Sequence, residues 1–230
     1  MKNGYSWLLK EFAELKHEFK GKTGFTLAEV LITLSIIGVV AALTIPSLVR
    51  NHQEAAWRAA WKKKFSEISQ AYMRARAEQG DDIGMTINSN LTPLKPYLKI
   101  VKSCGWQDNG TCTCWNKSMS YLNGGTSTAC GNSSFIMADG SLLRVTDPGW
   151  GDCEGYGGAC AIYNLDVNGF KGPNTMGKDI YVLVFFPEAV RAGRIHWTGR
   201  LFDTCIQPPE AGWDSEDNTG AGCSLKYLKE

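Results

Sequence analysis

The sequence has 230 residues, 43% of them hydrophobic, enough for one sizeable globular domain plus an additional segment. Its 24 Lys and Arg against 23 Asp and Glu leave a formal net charge of +1, which excludes an overall basic field of the kind that draws nucleic acid or acidic lipid.

In chain order, residues 1–24 (MKNGYSWLLKEFAELKHEFKGKTG) come first, polar and basic, with five lysines against three glutamates. From Val30 to Val49 no residue is charged, and those 20 residues are about what a helix needs to cross a bilayer core of ~30 Å. Lys20 and Lys22 just before the run are expected to hold the N-terminus in the cytoplasm and send everything after Val49 outward. A removable secretory signal is the alternative, with Ala41 and Ala42 as a small-residue cut. Such signals carry apolar regions of about 7 to 15 residues, whereas this run continues through Ile45 and Leu48 and begins beside a carboxylate, Glu29. A charge at the end of a lipid-crossing helix is costly unless it is paired, solvated or able to reach the interface.

Beyond Val49 the pattern stays helical and becomes amphipathic. Trp57, Trp61, Phe65, Ile68, Tyr72 and Ala75 recur in steps of three or four, predicting one stripe that docks on a core. Lys62, Lys63 and Lys64 read as a solvated face. Gly80, followed by Asp81 and Asp82, marks the stop, so that Phe25 to Gln79 forms a nearly continuous helix of ~80 Å at about 1.5 Å per residue.

Residues 81–230 are rich in Gly, Asn, Ser and Thr between short apolar runs, and predict an antiparallel sheet. Ser133 to Val145 reads as two strands joined by an Asp139-Gly140 turn. Further strands are expected over Ala159 to Val167 and Asp179 to Phe186, with Arg194 to Trp197 a weaker candidate. A long helix followed by strands gives an α+β head whose sheet buries the aromatic stripe on one face.

All eight cysteines lie in this part: Cys104, Cys112, Cys114, Cys130, Cys153, Cys160, Cys205 and Cys223. An even count behind a membrane segment reads as disulfides formed in an oxidising compartment, with the connectivity left undetermined. Cys112 and Cys114 are too close for the usual zinc-ligand gap, and the three histidines are widely scattered. The loop Leu165 to Asp179 places Asp166, Asn168 and Asp179 among glycines. These hard oxygens suit either a structural calcium ion or a glycine-rich turn capped by its own side chains. The acidic run Asp214 to Asn218 is a weaker candidate for the same ion. No nucleophile elbow, phosphate loop or dinucleotide fingerprint occurs, and His196 is the only histidine placed in the head, so no enzyme is expected.

The string Lys22-Thr23-Gly24-Phe25-Thr26-Leu27-Ala28-Glu29-Val30-Leu31-Ile32 resembles the processing site of type IV prepilins and of type II secretion pseudopilins. The likeness covers about Lys22 to Val49, including Gly38 and Pro46 in the apolar helix. It implies that a prepilin peptidase removes residues 1–24 at Gly24 and methylates the new amine of Phe25. It implies too that Glu29, one helical turn on, meets the N-terminal amine of a neighbouring subunit and acts as an assembly register. Gly38 and Pro46 then weaken the helix locally, as a kink or as a segment that melts on leaving lipid.

The organisation implied is a leader over 1–24, a transmembrane and filament-core helix over 25–49, an amphipathic helix over 50–80 and a disulfide-rich head over 81–230. The implied partners are the chain itself or other pilin-like subunits, the peptidase, an assembly platform with its ATPase, and the membrane. No cofactor and no small-molecule substrate are called for. The implied location is the inner membrane with the head outside the cytoplasm, then a pilus or pseudopilus. A DNA-uptake pilin, or a membrane-anchored binding domain that does not polymerise, are the alternatives.

Overall fold

A computed structural model describes residues 24–80, 83–87, 91–105, 113–116, 118–128, 133–147, 153, 157–193, 195, 205 and 219–230, with backbone only at Met85 and Asp147. The chain divides into two units, Met1–Arg50 and Asn51–Glu230.

The first helix, α1, runs Leu27–Gln79 with Pro46 inside it, and it is unbroken through Gly38 and Pro46. Proline at position 46 removes the amide that would bond the Ala42 carbonyl. Nearby hydroxyls instead bond back onto the helix, Thr44 Oγ1 to the Val40 carbonyl at 2.9 Å and Ser47 Oγ to the Thr44 carbonyl at 2.9 Å. Such back-bonding lets Ser and Thr sit in an apolar helix without a bare polar group. From Leu27 to Val49 only Ala41 is even partly covered. α1 is long and apolar enough, over an 18-residue window, to cross a membrane.

In the second unit the same helix buries Trp61, Lys64, Ile68, Ala71 and Ala75 in steps of three and four, with Tyr72 beside Ala71, so that one face points inward. Gly80 ends it: at φ +96°, a conformation glycine adopts without strain, its N–H reaches the Arg76 carbonyl at 2.9 Å.

The head is a six-stranded antiparallel sheet. Its strands are β1 Ile100–Cys104, β4 Ser134–Met137, β5 Leu142–Asp147, β6 Ala161–Asp166, β7 Ile180–Phe185 and β8 Val190–Ala192, adjacent in that order. β2 Met119–Ser120 and β3 Thr126–Ser127 form a separate pair, α2 spans Ile83–Thr86 and α3 spans Cys223–Lys229. This is the α+β, pilin-like architecture expected, a long N-terminal helix followed by an antiparallel sheet.

The Asp139-Gly140 turn joins β4 and β5 as the dipeptide predicts. Gly140 sits at φ +86° and the Asp139 carboxylate accepts from the Ser141 amide at 3.1 Å. β6 and β7 fall inside the two expected runs. The last described strand is Val190–Ala192, ahead of the Arg194–Trp197 candidate, most of which lies outside the described residues. β1, the β2–β3 pair and α3 carry no clear sequence signal; β1 is half-exposed or exposed except at Cys104, so no alternation advertises it.

One sheet face packs on the stripe of α1. Trp61 stacks on Tyr181, with ring centroids 4.8 Å apart, and donates its indole N–H to the Ser224 carbonyl at 3.0 Å. Tyr72 meets Phe185 edge-on and donates to the Phe186 carbonyl at 2.7 Å. Buried aromatic hydroxyls and indoles with satisfied donors keep their hydrophobic gain, about 1.5–3 kcal/mol for each large side chain.

Lys64 departs from the expected solvated lysine face, while Lys62 and Lys63 are exposed. Three residues after Trp61 and four before Ile68, Lys64 falls on the buried stripe. There its ammonium pairs with Asp139 at 2.7 Å and Glu67 at 2.9 Å. Burial opposes the ionised form of Asp139, but bonds from Lys64 and Ser141 outweigh it and hold the carboxyl below its usual range.

The other sheet face is covered too, by Met119 of β2 and by Trp115, Met176, Ile195 and Ala221 from connecting segments. β7 is consequently buried at every position, and its sequence IYVLVF is a continuous apolar run without alternation.

Candidate functional site

Two places bring predicted residues together, one at the start of α1 and one in the loop before β7. At the first, Gly24, Phe25 and Thr26 are non-helical and α1 begins at Leu27. The Glu29 carboxylate accepts from the Thr26 backbone N–H at 2.9 Å and from the Thr26 hydroxyl at 3.0 Å, while the Glu29 N–H donates to Thr26 Oγ1 at 3.2 Å.

That reciprocal pair is a capping box. Thr26 is the N-cap, Glu29 the third helical residue, and each side chain satisfies the other's backbone donor. The signal was present as Thr-Xaa-Xaa-Glu, and reading Glu29 only as a partner for a neighbour passes over it. A carboxylate in the first turn also faces the positive end of the helix dipole. Glu29 therefore has a role within its own chain. Phe25 is 86% exposed and the apolar residues after it are uncovered, so nothing among the described residues shields this end.

In the second place Asp166 ends β6 and Asp179 precedes β7, both fully buried. Asp166 Oδ1 accepts from the Asn168 amide at 3.1 Å; Asp179 accepts from the Asn174 amide at 2.8 Å and the Thr175 amide at 2.7 Å. Both carboxylates thus cap the turn with their own oxygens, as one of the two sequence readings has it. Gly169, at φ +73°, lets the loop lie against the β4–β5 turn: an added Cβ would stand 2.4 Å from the Gly140 carbonyl oxygen.

Asn116 is the hub that spacing did not reveal, since it lies 50 residues from Asp166. Its Nδ2 sits 2.8 Å from Asp166 Oδ2, 2.8 Å from Asn174 Oδ1 and 3.0 Å from the Gly169 carbonyl. Three oxygens converge on a nitrogen with two hydrogens to give. Asn168 donates to the Gly172 carbonyl at 3.1 Å, and its buried Oδ1 finds no partner among the described residues.

Burial, and then the neighbouring Asp179 charge, push Asp166 up to about 8; burial raises Asp179 as well. No cluster of three or more His, Cys, Asp or Glu suited to a metal occurs among the described residues. The oxygens present are two carboxylates with amide and carbonyl groups, a hard donor set of the kind calcium takes.

The structure joins Cys104 to Cys114, Cys153 to Cys160 and Cys205 to Cys223. Cys205–Cys223 fastens the start of α3. Cys112, Cys130, His196 and the Asp214–Asn218 run lie outside the described residues.

Residues 19–45 match the family model described as the prokaryotic N-terminal methylation motif. That motif is the leader signature of type IV pilins and pseudopilins, and it supports a pilin-like or pseudopilin subunit, a structural component assembled with others of its kind. No curated protein and no solved structure matches the chain.

Proposed function

We propose that the chain is a subunit, in the manner of a minor pilin or pseudopilin, of a type IV pilus or type II secretion pseudopilus. A prepilin peptidase removes residues 1–24 and methylates Phe25. Residues 25–49 anchor the subunit in the inner membrane, and the platform and ATPase then draw it into a fibre. The observation that carries this reading is the coincidence of the methylation motif with an apolar helical stretch exposed along nearly its whole length.

In the fibre, neighbouring helices replace lipid around that stretch, and the Phe25 amine of one subunit meets Glu29 of the next. An unpaired charge among packed helices is strongly disfavoured, so a single such contact selects the axial stagger. Both Thr26 bonds to the Glu29 side chain end on one oxygen, Oε2, so the register contact is formed by a carboxylate already held in place by its own chain.

Mass spectrometry of native material should find a chain beginning at methylated Phe25. Gly24→Val should leave a precursor heavier by the leader, and Glu29→Ala should leave processing intact while excluding the subunit from fibres. A native chain starting at Met1, or after Ala42, contradicts the proposal, as does normal incorporation of the Glu29→Ala subunit.

A second element concerns the head. The convergence of Asp166, Asn174 and the Gly169 carbonyl, with the unpartnered Asn168 Oδ1 nearby, favours calcium held by Asp166, Asn168 and Asp179. The ion would supply the positive charge these buried carboxylates otherwise obtain only from protons and amides.

A further inference from the structure

The head carries a cleft that neither the register contact nor the oxygens gathered around Asn116 use. It lies within the Asn51–Glu230 unit and has a volume of about 90 Å³. Glu54 and Arg58 of α1, Leu122 of the β2–β3 turn, Gly177 and Lys178 before β7, and Tyr227 of α3 line it. Segments far apart in sequence thus bring two cations, one carboxylate and one phenol to a single opening.

The walls are held from behind. Lys178 is exposed, but its N–H bonds the Thr175 carbonyl at 3.0 Å and its carbonyl accepts from the hydroxyl of Tyr181, the ring that stacks on Trp61. Gly177, at φ +83°, lies against the backbone before α3, where an added Cβ would stand 2.8 Å from the Gly220 carbonyl oxygen. The Tyr227 ring packs under Arg58, whose guanidinium carbon is 4.2 Å from its centroid.

Glu54 and Arg58 are an i,i+4 pair, of a kind common on solvated helices. Here the pair is open. Arg58 reaches Glu54 at 3.8 Å, Glu230 at 3.8 Å and the Tyr227 hydroxyl at 3.5 Å, all longer than the roughly 2.7–2.9 Å of a charge-assisted bond. Glu230 is itself shared with Lys226 at 4.0 Å. Lys64, further along the same helix, closes on its carboxylates at 2.7 Å and 2.9 Å. The contrast marks a cluster with room between its charges for a ligand that carries both signs.

Position along the chain narrows the ligand. Glu54 and Arg58 follow Val49, the last residue of the uncharged run, by five and nine positions, about 7.5 and 13.5 Å of helix rise. Side chains on a helix lean toward its N-terminus, so both heads are carried back toward that run. The polar layer on each side of a bilayer core is about 5–7 Å deep, and the dipolar groups it holds are phospholipid headgroups. A cavity of about 150 Å³ admits benzene, so this smaller cleft takes a phosphate or an ammonium group and leaves glycerol and acyl chains outside.

We infer that the cleft binds the phosphoethanolamine headgroup of a membrane phospholipid, its phosphate between Arg58 and Lys178 and its ammonium on Glu54. Phosphatidylglycerol leaves Glu54 without a cation, and phosphatidylcholine has no N–H to donate to it. The inference rests on residues 27–49 spanning a membrane and not on assembly into a fibre.

The test places the full-length chain in nanodiscs of equimolar phosphatidylethanolamine, phosphatidylglycerol and phosphatidylcholine, releases it into mild detergent and identifies the retained lipid by native mass spectrometry. Phosphatidylethanolamine should be enriched roughly threefold or more over each of the others. Lys178→Glu and Glu54→Gln should each abolish that enrichment without moving the unfolding temperature of the head, and Arg58→Gln should abolish it too. If Arg58→Gln loosens the head through Tyr227, the other two variants decide. Equal retention of the three lipids, preference for either of the other two, or an enrichment that survives Lys178→Glu or Glu54→Gln would each overturn the inference while leaving the membrane reading in place. A chain that does not enter the nanodiscs would overturn both.

Discussion

Residues 27–49 and residues 57–75 lie on one helix, yet they meet the demand for burial in opposite ways. In the first stretch Ile37 is 62% exposed and Leu43 75%; in the second, Trp61, Ile68 and Tyr72 are wholly covered by the chain's own sheet. Both are helical despite Gly38 and Pro46 in the first, so the difference lies in where the apolar residues fall. A stripe at three- and four-residue spacing can be met by one sheet face. A helix that is apolar all round needs covering on every side, and the described residues supply no such cover. The comparison separates a fold that stabilises itself from a segment whose hydrophobic gain waits on lipid or on other helices.

The sharpest way to break this division is a pair of truncations. Trp61→Ala should destabilise the head by about 3–5 kcal/mol, the usual loss for a large buried aromatic, seen as a lower denaturation midpoint. Ile37→Ala should leave that midpoint where it was. Equal responses would mean that the two stretches do not differ in kind.

A smaller effect sharpens the head's side of the comparison. The folded-state pKa of Asp166 is raised to about 8 from an ordinary 3.8, so its contribution is fully present below about pH 4 and is lost as pH rises through about 8. Without calcium, the unfolding temperature should be higher at pH 5 than at pH 8.5 by roughly several degrees. Calcium should raise it more at pH 8.5 than at pH 5, and Asp166→Asn should flatten the pH dependence. A calcium effect that is the same at both pH values would sink the cation reading of the loop.

The smallest effect belongs to the start of α1. Thr26→Ala removes the cap, and amide exchange in the first turn should quicken roughly fivefold, with no change at β6 or β7. Unchanged exchange at Ala28 to Val30 would show that the capping bonds do not hold the helix start.

Much of this arrangement was legible in the sequence because it rests on period and on local turn chemistry. The uncharged run, the aromatic stripe, the Asp139-Gly140 hairpin and the glycine after Gln79 each carry their signal within a few residues. What escaped depends on distant partners. Lys64 stood at a stripe position, but its residue type argued for solvent until Asp139 supplied a carboxylate from the hairpin turn. Asn116 gave no sign of joining the Asp166 loop. The second covered face of the sheet is built largely from connecting segments without periodicity, so Arg144 on that face is buried against what a strand residue of its type suggests. The capping box was missed for another reason: a strong intermolecular expectation for Glu29 left its nearest neighbour unconsidered.

The three bonds between Thr26 and Glu29 bear on the order of the proposed maturation. None involves Phe25 or any atom before it, so a cut after Gly24 trims the chain without undoing the first turn. The peptidase would meet a non-helical scissile bond two residues short of a finished helix. Releasing the leader would then add a free amine to a scaffold whose geometry was settled beforehand.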